Sequence, residues 1–160
     1  MSKDVLAIDL GTNTGFCYNR AAEIFQGTWT LATTKEVAQW GRDRLRRRKD
    51  PRVERLCEHL DALGGFSLVV FEDVLFGSTT YATQLWSGLR SSVWLCAQGG
   101  IFECVPVGTL KAFATGNGHA TKEQMSAALR RKHPEHWTPA LNDDAIDATF
   151  LYLFAKQNFC

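Results

Sequence analysis

The chain has 160 residues, 45% of them hydrophobic and 22% charged, with a formal net charge of +1. A chain of this size and composition fits one domain, residues 1–160, with a proper core, and disordered and fibrous classes are excluded. No apolar stretch approaches the roughly 20 residues that span a bilayer, and no basic segment leads into an apolar one as in a secretory leader, so the expectation is a cytoplasmic protein with no membrane partner.

Residues 4 to 9 form an apolar run with little alternation, as a strand buried on both faces requires, and the run ends at Asp9. Gly11 and Gly15 permit a tight turn into a second strand at residues 16 to 19. A third follows at 24 to 31, giving a three-stranded antiparallel meander with its second turn at 19 to 23. From Lys35 the pattern turns helical through Val37, Trp40 and Leu45, and Pro51 can open a new helix whose stripe is Val53, Leu56, Leu60 and Leu63. Gly64-Gly65 ends that helix.

Residues 66 to 71 make a second buried strand, closed by Glu72, and a loop rich in Gly, Ser and Thr follows. A helix at 82 to 97 carries Leu85, Trp86, Leu89, Val93 and Trp94, and a strand at 101 to 107 comes next. This alternation implies right-handed crossovers and a parallel portion of the sheet. Thr121-Lys122-Glu123-Gln124 matches a capping box with Thr121 as N-cap, so a helix starts there and runs to Lys132. The last helix covers 143 to 156, and its apolar residues predict packing on the sheet.

Charge is unevenly placed. Between residues 42 and 55 eight cations (Arg42, Arg44, Arg46, Arg47, Arg48, Lys49, Arg52, Arg55) face three acids (Asp43, Asp50, Glu54), a local excess of five that suits a polyanion or a solvated helix face. The five cysteines, Cys17, Cys57, Cys96, Cys104 and Cys160, are widely spaced and odd in number, so neither a zinc site nor a disulfide framework is expected. Carboxylates at the ends of apolar elements are costly unless paired or bound to cations. Their recurrence at Asp9, Glu72 and the segment Asn142-Asp143-Asp144-Ala145-Ile146-Asp147-Ala148 suggests one shared site for a hard divalent cation.

The order of elements, with acids at the ends of the first and fourth strands and on the last helix, resembles the ribonuclease H-like fold. Within it the chain is similar to the RuvC family of Holliday-junction resolvases along nearly its whole length. The most specific likeness is the stretch Lys111 to Lys122, which resembles that family's two lysines eleven residues apart around a T-G-x-G-x-A turn, here Thr115-Gly116-Asn117-Gly118-His119-Ala120. Asp144-x-x-Asp147-Ala148 resembles its closing D-x-x-D-A motif. The resemblance implies an α/β fold with a five-stranded mixed sheet, three antiparallel strands then two parallel, flanked by helices. It also implies a homodimeric endonuclease that cuts four-way DNA junctions symmetrically with two Mg²⁺ ions per site, Mn²⁺ substituting, and leaves 5′-phosphate and 3′-hydroxyl ends.

Carried over residue by residue, Asp9 is the expected bridging ligand, Glu72 and Asp144 serve one ion each, and Asp147 is a ligand or orients water. Asp143 can replace Asp144 if the helix is rotated, since 143 and 147 also share a face. Asp73 should point to the opposite side of its strand. Lys111 and Lys122 match the motif lysines, whose charge can stabilise a pentavalent phosphate. For DNA the expected contacts are Arg46, Arg47, Arg48, Lys49, Arg130 and Arg131, with the backbone of Gly116, Asn117 and Gly118 at a phosphate. Phe76, chosen over Leu75 and Tyr81, is the expected base-stacking residue. The helix at 82–97 is the candidate dimer interface. The basic stretch before Pro51 is longer than in bacterial members and fits a phage or viral branch, which would place the protein in the host-cell cytoplasm.

Three other readings compete. The segment Ile8-Asp9-Leu10-Gly11-Thr12-Asn13 also resembles the first phosphate loop of sugar-kinase and actin-like ATPases, but that class needs two domains and a second phosphate loop, so no nucleotide cofactor is expected. A YqgF-type RNA nuclease and a non-cutting branched-DNA-binding module are the remaining alternatives. The lysine segment argues against the first and the complete acid set against the second.

Overall fold

The computed structural model describes residues 3–43, 49–73 and 79–160. Five strands form one sheet: β1 (Val5–Asp9), β2 (Asn13–Arg20), β3 (Glu23–Thr30), β4 (Phe66–Asp73) and β5 (Gly99–Pro106), in the spatial order β3-β2-β1-β4-β5. The first three pair antiparallel, while β1 pairs parallel with β4 and β4 with β5. Among the described residues six α-helices surround the sheet: α1 (Thr34–Asp43), α2 (Pro51–Leu63), α3 (Thr80–Cys96), α4 (Val107–Thr115), α5 (Lys122–Lys132) and α6 (Asp143–Asn158). The mixed five-stranded α/β architecture expected from the sequence is present.

Alternation along the central strands splits the core in two. Val5 and Ala7 of β1 and Leu68 and Val70 of β4 join the α4, α5 and α6 side, whereas Leu6, Ile8, Val69 and Phe71 pack toward α2 and α3. Because side chains alternate, Asp9 and Glu72 follow Ala7 and Val70 onto the α6 side. Asp73 goes the other way, where it accepts a hydrogen bond from the half-buried Cys104 thiol.

Four expectations need correction. Gly15 lies within β2, paired with Asp9 of β1, and is not part of the turn. That turn is closed instead by Thr14, whose hydroxyl donates to the Gly11 carbonyl at 2.8 Å. The fifth strand ends at Pro106, and Val107 opens α4, a helix that the sequence pattern did not reveal because only Leu110 and Ala114 are fully buried in it. Last, Cys57 of α2 and Cys96 of α3 form a disulfide across 39 residues, so the expectation of no bridge fails for this pair. Their distance in sequence gave no cue; packing of α2 against α3 brings them together.

The capping box at Thr121 is formed as expected, with Gln124 Oε1 accepting from the Thr121 N–H at 2.9 Å. Two of the cations in the basic stretch are paired with acids of the same chain. Arg52, 7% exposed, makes an ion pair with Asp50 at 2.7 Å and donates to the Thr12 hydroxyl at 2.9 Å. Arg55 pairs with Glu36 at 2.6 Å.

Candidate active site

Two backbone facts bring the acids to one rim. β1 and β4 run parallel with Ile8 opposite Phe71, so the next residue on each strand, Asp9 and Glu72, stand side by side at the carboxyl ends. α6 starts directly against β2: a Cβ on Gly15 would stand 1.9 Å from the Asp144 carbonyl oxygen. Since Gly15 pairs with Asp9, the missing side chain at 15 is what lets the first turn of α6 lie beside Asp9. Asn142 caps that helix, accepting from the Ala145 N–H at 3.0 Å, and Thr28 of β3 donates to the same side-chain oxygen at 2.6 Å. The helix start is therefore tied to the far edge of the sheet.

The electrostatics register the convergence. Asp9 is held well above the usual carboxylate range, first by burial and then by the negative charges of Glu72, Asp147 and Asp144. Burial, then Asp147, pushes Glu72 up to about 7, and Lys111 opposes them. Asp147 rises to about 6, mainly through burial, again with Lys111 pulling the other way. Asp144 is raised too, by burial first, against the opposing charge of Lys122. All four acids thus resist ionisation, and the two motif lysines are the cations close enough to counter them. Among the described residues no three of these side chains gather tightly enough to form a ready-made metal cage.

Asp143 and Asp144, adjacent at the start of α6, have different partners. Asp144 acts on Asp9, while Asp143 lies out on the surface, its side chain 47% exposed, with Lys122 Nζ 3.2 Å away. The geometry therefore favours Asp144 over Asp143 for the inner position. Lys111, half-buried on α4, stands near Glu72 and Asp147. Lys122, with its side chain 69% exposed, stands at the outer margin.

The turn after α4 differs from its expected role. Gly116 adopts a left-handed conformation, φ 85°, as the C-cap of α4, and its N–H donates to the Ala112 carbonyl at 2.8 Å. Asn117 N–H goes to the Thr115 hydroxyl at 3.1 Å. Both amides are thus spent inside the turn and do not supply the expected phosphate donors; Gly118 instead packs against Gly108. Arg130 and Arg131 are exposed on α5, and Lys49 is exposed ahead of α2. Phe76 and Leu75, like Arg46, Arg47 and Arg48, lie outside the described residues.

Sequence reasoning missed two residues at this site. One is Gly15, whose part becomes visible only when α6 is placed. The other is Trp137, which the guanidinium of Arg130 covers at 4.9 Å from the ring centroid. It follows a short 3-10 turn, Pro134–His136, and an aromatic with no helical or strand periodicity around it carries no signal in sequence.

Neither a family model nor a curated protein sequence matches the chain. Solved structures do. RuvC of Thermus thermophilus in complex with a Holliday junction substrate superposes with a TM-score of 0.62 at 16% identity, covering 97% of this chain and 96% of that one. A second T. thermophilus RuvC structure gives a TM-score of 0.55, also at 16% identity, over 96% and 95% of the two chains. With the sheet order, the parallel pairing of β1, β4 and β5 and the placement of α6 already in hand, the chain has the ribonuclease H-like fold of RuvC.

Proposed function

We propose that this chain is a structure-specific endonuclease that cuts four-way DNA junctions as a homodimer, by metal-dependent phosphodiester hydrolysis leaving 5′-phosphate and 3′-hydroxyl ends. The observation that carries the reading is the gathering of Asp9, Glu72, Asp144 and Asp147 at one rim, four buried or half-buried carboxylates of raised proton affinity that two lysines counter among the described residues. Such repulsion is unfavourable for the protein alone and is relieved by cations. The donors are all oxygen, which fits Mg²⁺ or Mn²⁺ and not zinc. The fold shared with a RuvC in complex with a Holliday junction substrate supports branched DNA as the substrate class.

Asp9, Glu72, Asp144 and Asp147 would hold the ions. When bound, a pair of divalent ions supplies an activated water and stabilises the leaving 3′ oxygen in an in-line displacement. The chain's own part is to keep the carboxylates fixed before substrate arrives. Thr14 and Arg52 brace the loop after Asp9, and Asn142 fixes the start of α6. Lys111 places a cation between Glu72 and Asp147 on one side and incoming phosphate on the other. Lys122 is exposed enough to leave Asp143 for a phosphate oxygen, where a positive charge is worth most as negative charge builds.

Two symmetric cuts require two copies of the site, hence a two-fold dimer. α3 supports that assembly. Leu85 and Leu89 turn into the α2 and α3 core, but Trp94 is 48% and Leu95 84% exposed at the end of α3. Arg90 lies between Trp86 and Trp94, 5.1 and 4.5 Å from their ring centroids, and the buried Trp86 Nε1 and Arg90 Nε have no hydrogen-bond partner among the described residues. An apolar patch of this kind marks an interface.

The test is to incubate the protein and Mg²⁺ with labelled four-way, flap, duplex and RNA substrates, and to measure its mass in solution by analytical ultracentrifugation. Paired nicks near the crossover and a dimer are expected. Cleavage of RNA alone would replace this reading with the YqgF-type alternative, and junction binding without nicking would leave a binding module.

A further inference from the structure

α5 borders a groove of about 660 Å³ that begins beside the carboxylate rim, at Asp143, Lys122 and Glu123, and includes Arg130, Arg131 and Trp137 farther along. Lys122, Ser126 and Arg130 recur every fourth residue and so form one line along the helix. Eight residues of helix advance about 12 Å, a length over which one strand of duplex presents about three to four phosphates. Ala127 and Arg131 also border a second, smaller hollow of about 290 Å³ that reaches the Thr115 to Asn117 turn. Glu123 and Asp143 line the groove at its Lys122 end, so its unopposed positive charge lies at the far end of α5, at Arg130 and Arg131.

Cations in the last turn of a helix can be explained by its dipole, and Lys132 has a use of that sort, donating to the Ala114 carbonyl at 2.7 Å. Arg130 and Arg131 differ. Neither has an acidic partner among the described residues. Arg130 is instead laid over the Trp137 ring. That ring is held in turn: it packs against the α4, α5 and α6 core, and the short turn before it is pinned to β3 by Gln26, whose amide donates to the His136 carbonyl at 2.6 Å. A flexible arginine on a fixed aromatic surface loses less entropy when it takes a phosphate.

On the junction-nuclease reading, we propose that this groove carries a DNA strand away from the carboxylate rim, with Arg130 and Arg131 on its phosphates and Trp137 as the positioning residue that holds Arg130 for that contact. Trp137 itself carries no charge and is not placed on the reacting atoms. Its contribution is to direct a neighbouring one.

The experiment measures four-way junction affinity in Ca²⁺ across a salt series for wild type, Arg130→Ala, Arg131→Ala, Trp137→Ala, Trp137→Phe and the Arg130→Ala/Trp137→Ala double variant. Each arginine variant should bind about three- to tenfold more weakly and lower the salt slope by about one. Trp137→Ala should reproduce the Arg130→Ala loss, slope included, although every charge remains; Trp137→Phe should restore it. The double variant should bind no more weakly than either single one, because both remove the same contact. If Trp137→Ala does not fold, Trp137→Met takes its place against Trp137→Phe, since it fills space without a ring. Unchanged affinity and slope in Arg130→Ala, or losses that multiply in the double variant, would overturn the proposal while leaving the nuclease reading intact. A wild-type protein that binds no branched DNA would overturn both.

Discussion

The two layers flanking the sheet are built on opposite principles. On the α2 and α3 side, elements are stapled together: Arg52 is neutralised by Asp50, His59 stacks on Trp29 at 4.7 Å, and Cys57 is bonded to Cys96. On the α6 side, an equally apolar core runs up to a rim where burial and neighbouring acids raise the proton affinity of four carboxylates, and Lys111 and Lys122 offset this only in part. The first layer is organised for stability, and the second gives up stability to keep a charged constellation in place. Local frustration offset by neighbouring structure is what a functional rim costs the protein.

The sharpest way to break this contrast is Asp9→Asn. It removes the most buried member of the repelling set while keeping its shape, so junction binding should persist and Mg²⁺-dependent nicking should fall on the order of 10³-fold. Without divalent ions the variant should also melt at a higher temperature than wild type, since one of the mutually repelling charges has gone. Nicking at the wild-type rate would remove Asp9 from the mechanism, and a lower melting temperature would contradict the claim that the rim is frustrated.

On the other layer, Cys57→Ser should destabilise the protein. A bridge closing 39 residues restrains the unfolded chain by about 4 kcal/mol in the chain-entropy view. Denaturant titration of the wild type under oxidising and reducing conditions measures the same quantity, and equal midpoints would show that the bridge adds nothing. Nicking by the folded Cys57→Ser protein should be unaffected, because the bridge lies on the far side of the sheet from the acids.

Gly15→Ala tests the join between layer and rim. The added Cβ cannot stand 1.9 Å from the Asp144 carbonyl oxygen, so the first turn of α6 must move away from β2. Misplacement by about 1 Å lowers a reaction rate about 10²-fold, and overpacking costs about 1–3 kcal/mol. Nicking should therefore drop far more than stability. Comparable losses in both would mean that position 15 matters to the fold alone.

Much of this architecture was legible because local patterns agreed with the fold. Val5 to Ile8 and Leu68 to Phe71 are apolar without alternation, as central strands covered on both faces must be. Thr121 and Gln124 announced the start of α5 to the residue, since a capping box is a local device. The candidate acids were also readable, because carboxylates that close apolar runs stand out. What escaped depends on contacts far apart in sequence. Gly15 looked like a turn residue until α6 was placed over it, and Cys57 and Cys96 meet only because α2 packs on α3. α4 was hidden by a weak pattern, and the backbone of Gly116 and Asn117, expected at a phosphate, serves the cap of that helix.

The smallest effect is a pH dependence that should separate the two layers without changing the fold. Glu72 near 7 and Asp147 near 6 lie above the ordinary carboxylate range of about 4. The folded state therefore binds more protons than the unfolded chain between roughly pH 4 and 7, and the linkage slope is negative. Stability from these two groups is present at the acid end of that window and is lost as pH rises through 6 and 7, on the order of 2 kcal/mol after allowance for solvent. His59 and His136, both lowered by burial, work in the opposite sense: they contribute above the ordinary histidine value and lose that contribution as pH falls below it. The difference between wild type and Glu72→Gln isolates the rim from the histidines. Melting curves in EDTA from pH 5 to 8 should show Glu72→Gln gaining on the wild type as pH rises, and added Mg²⁺ should reduce that gain by stabilising the ionised wild-type rim. A constant difference across the range would mean that Glu72 ionises normally, and that the acids are not crowded enough to need a cation.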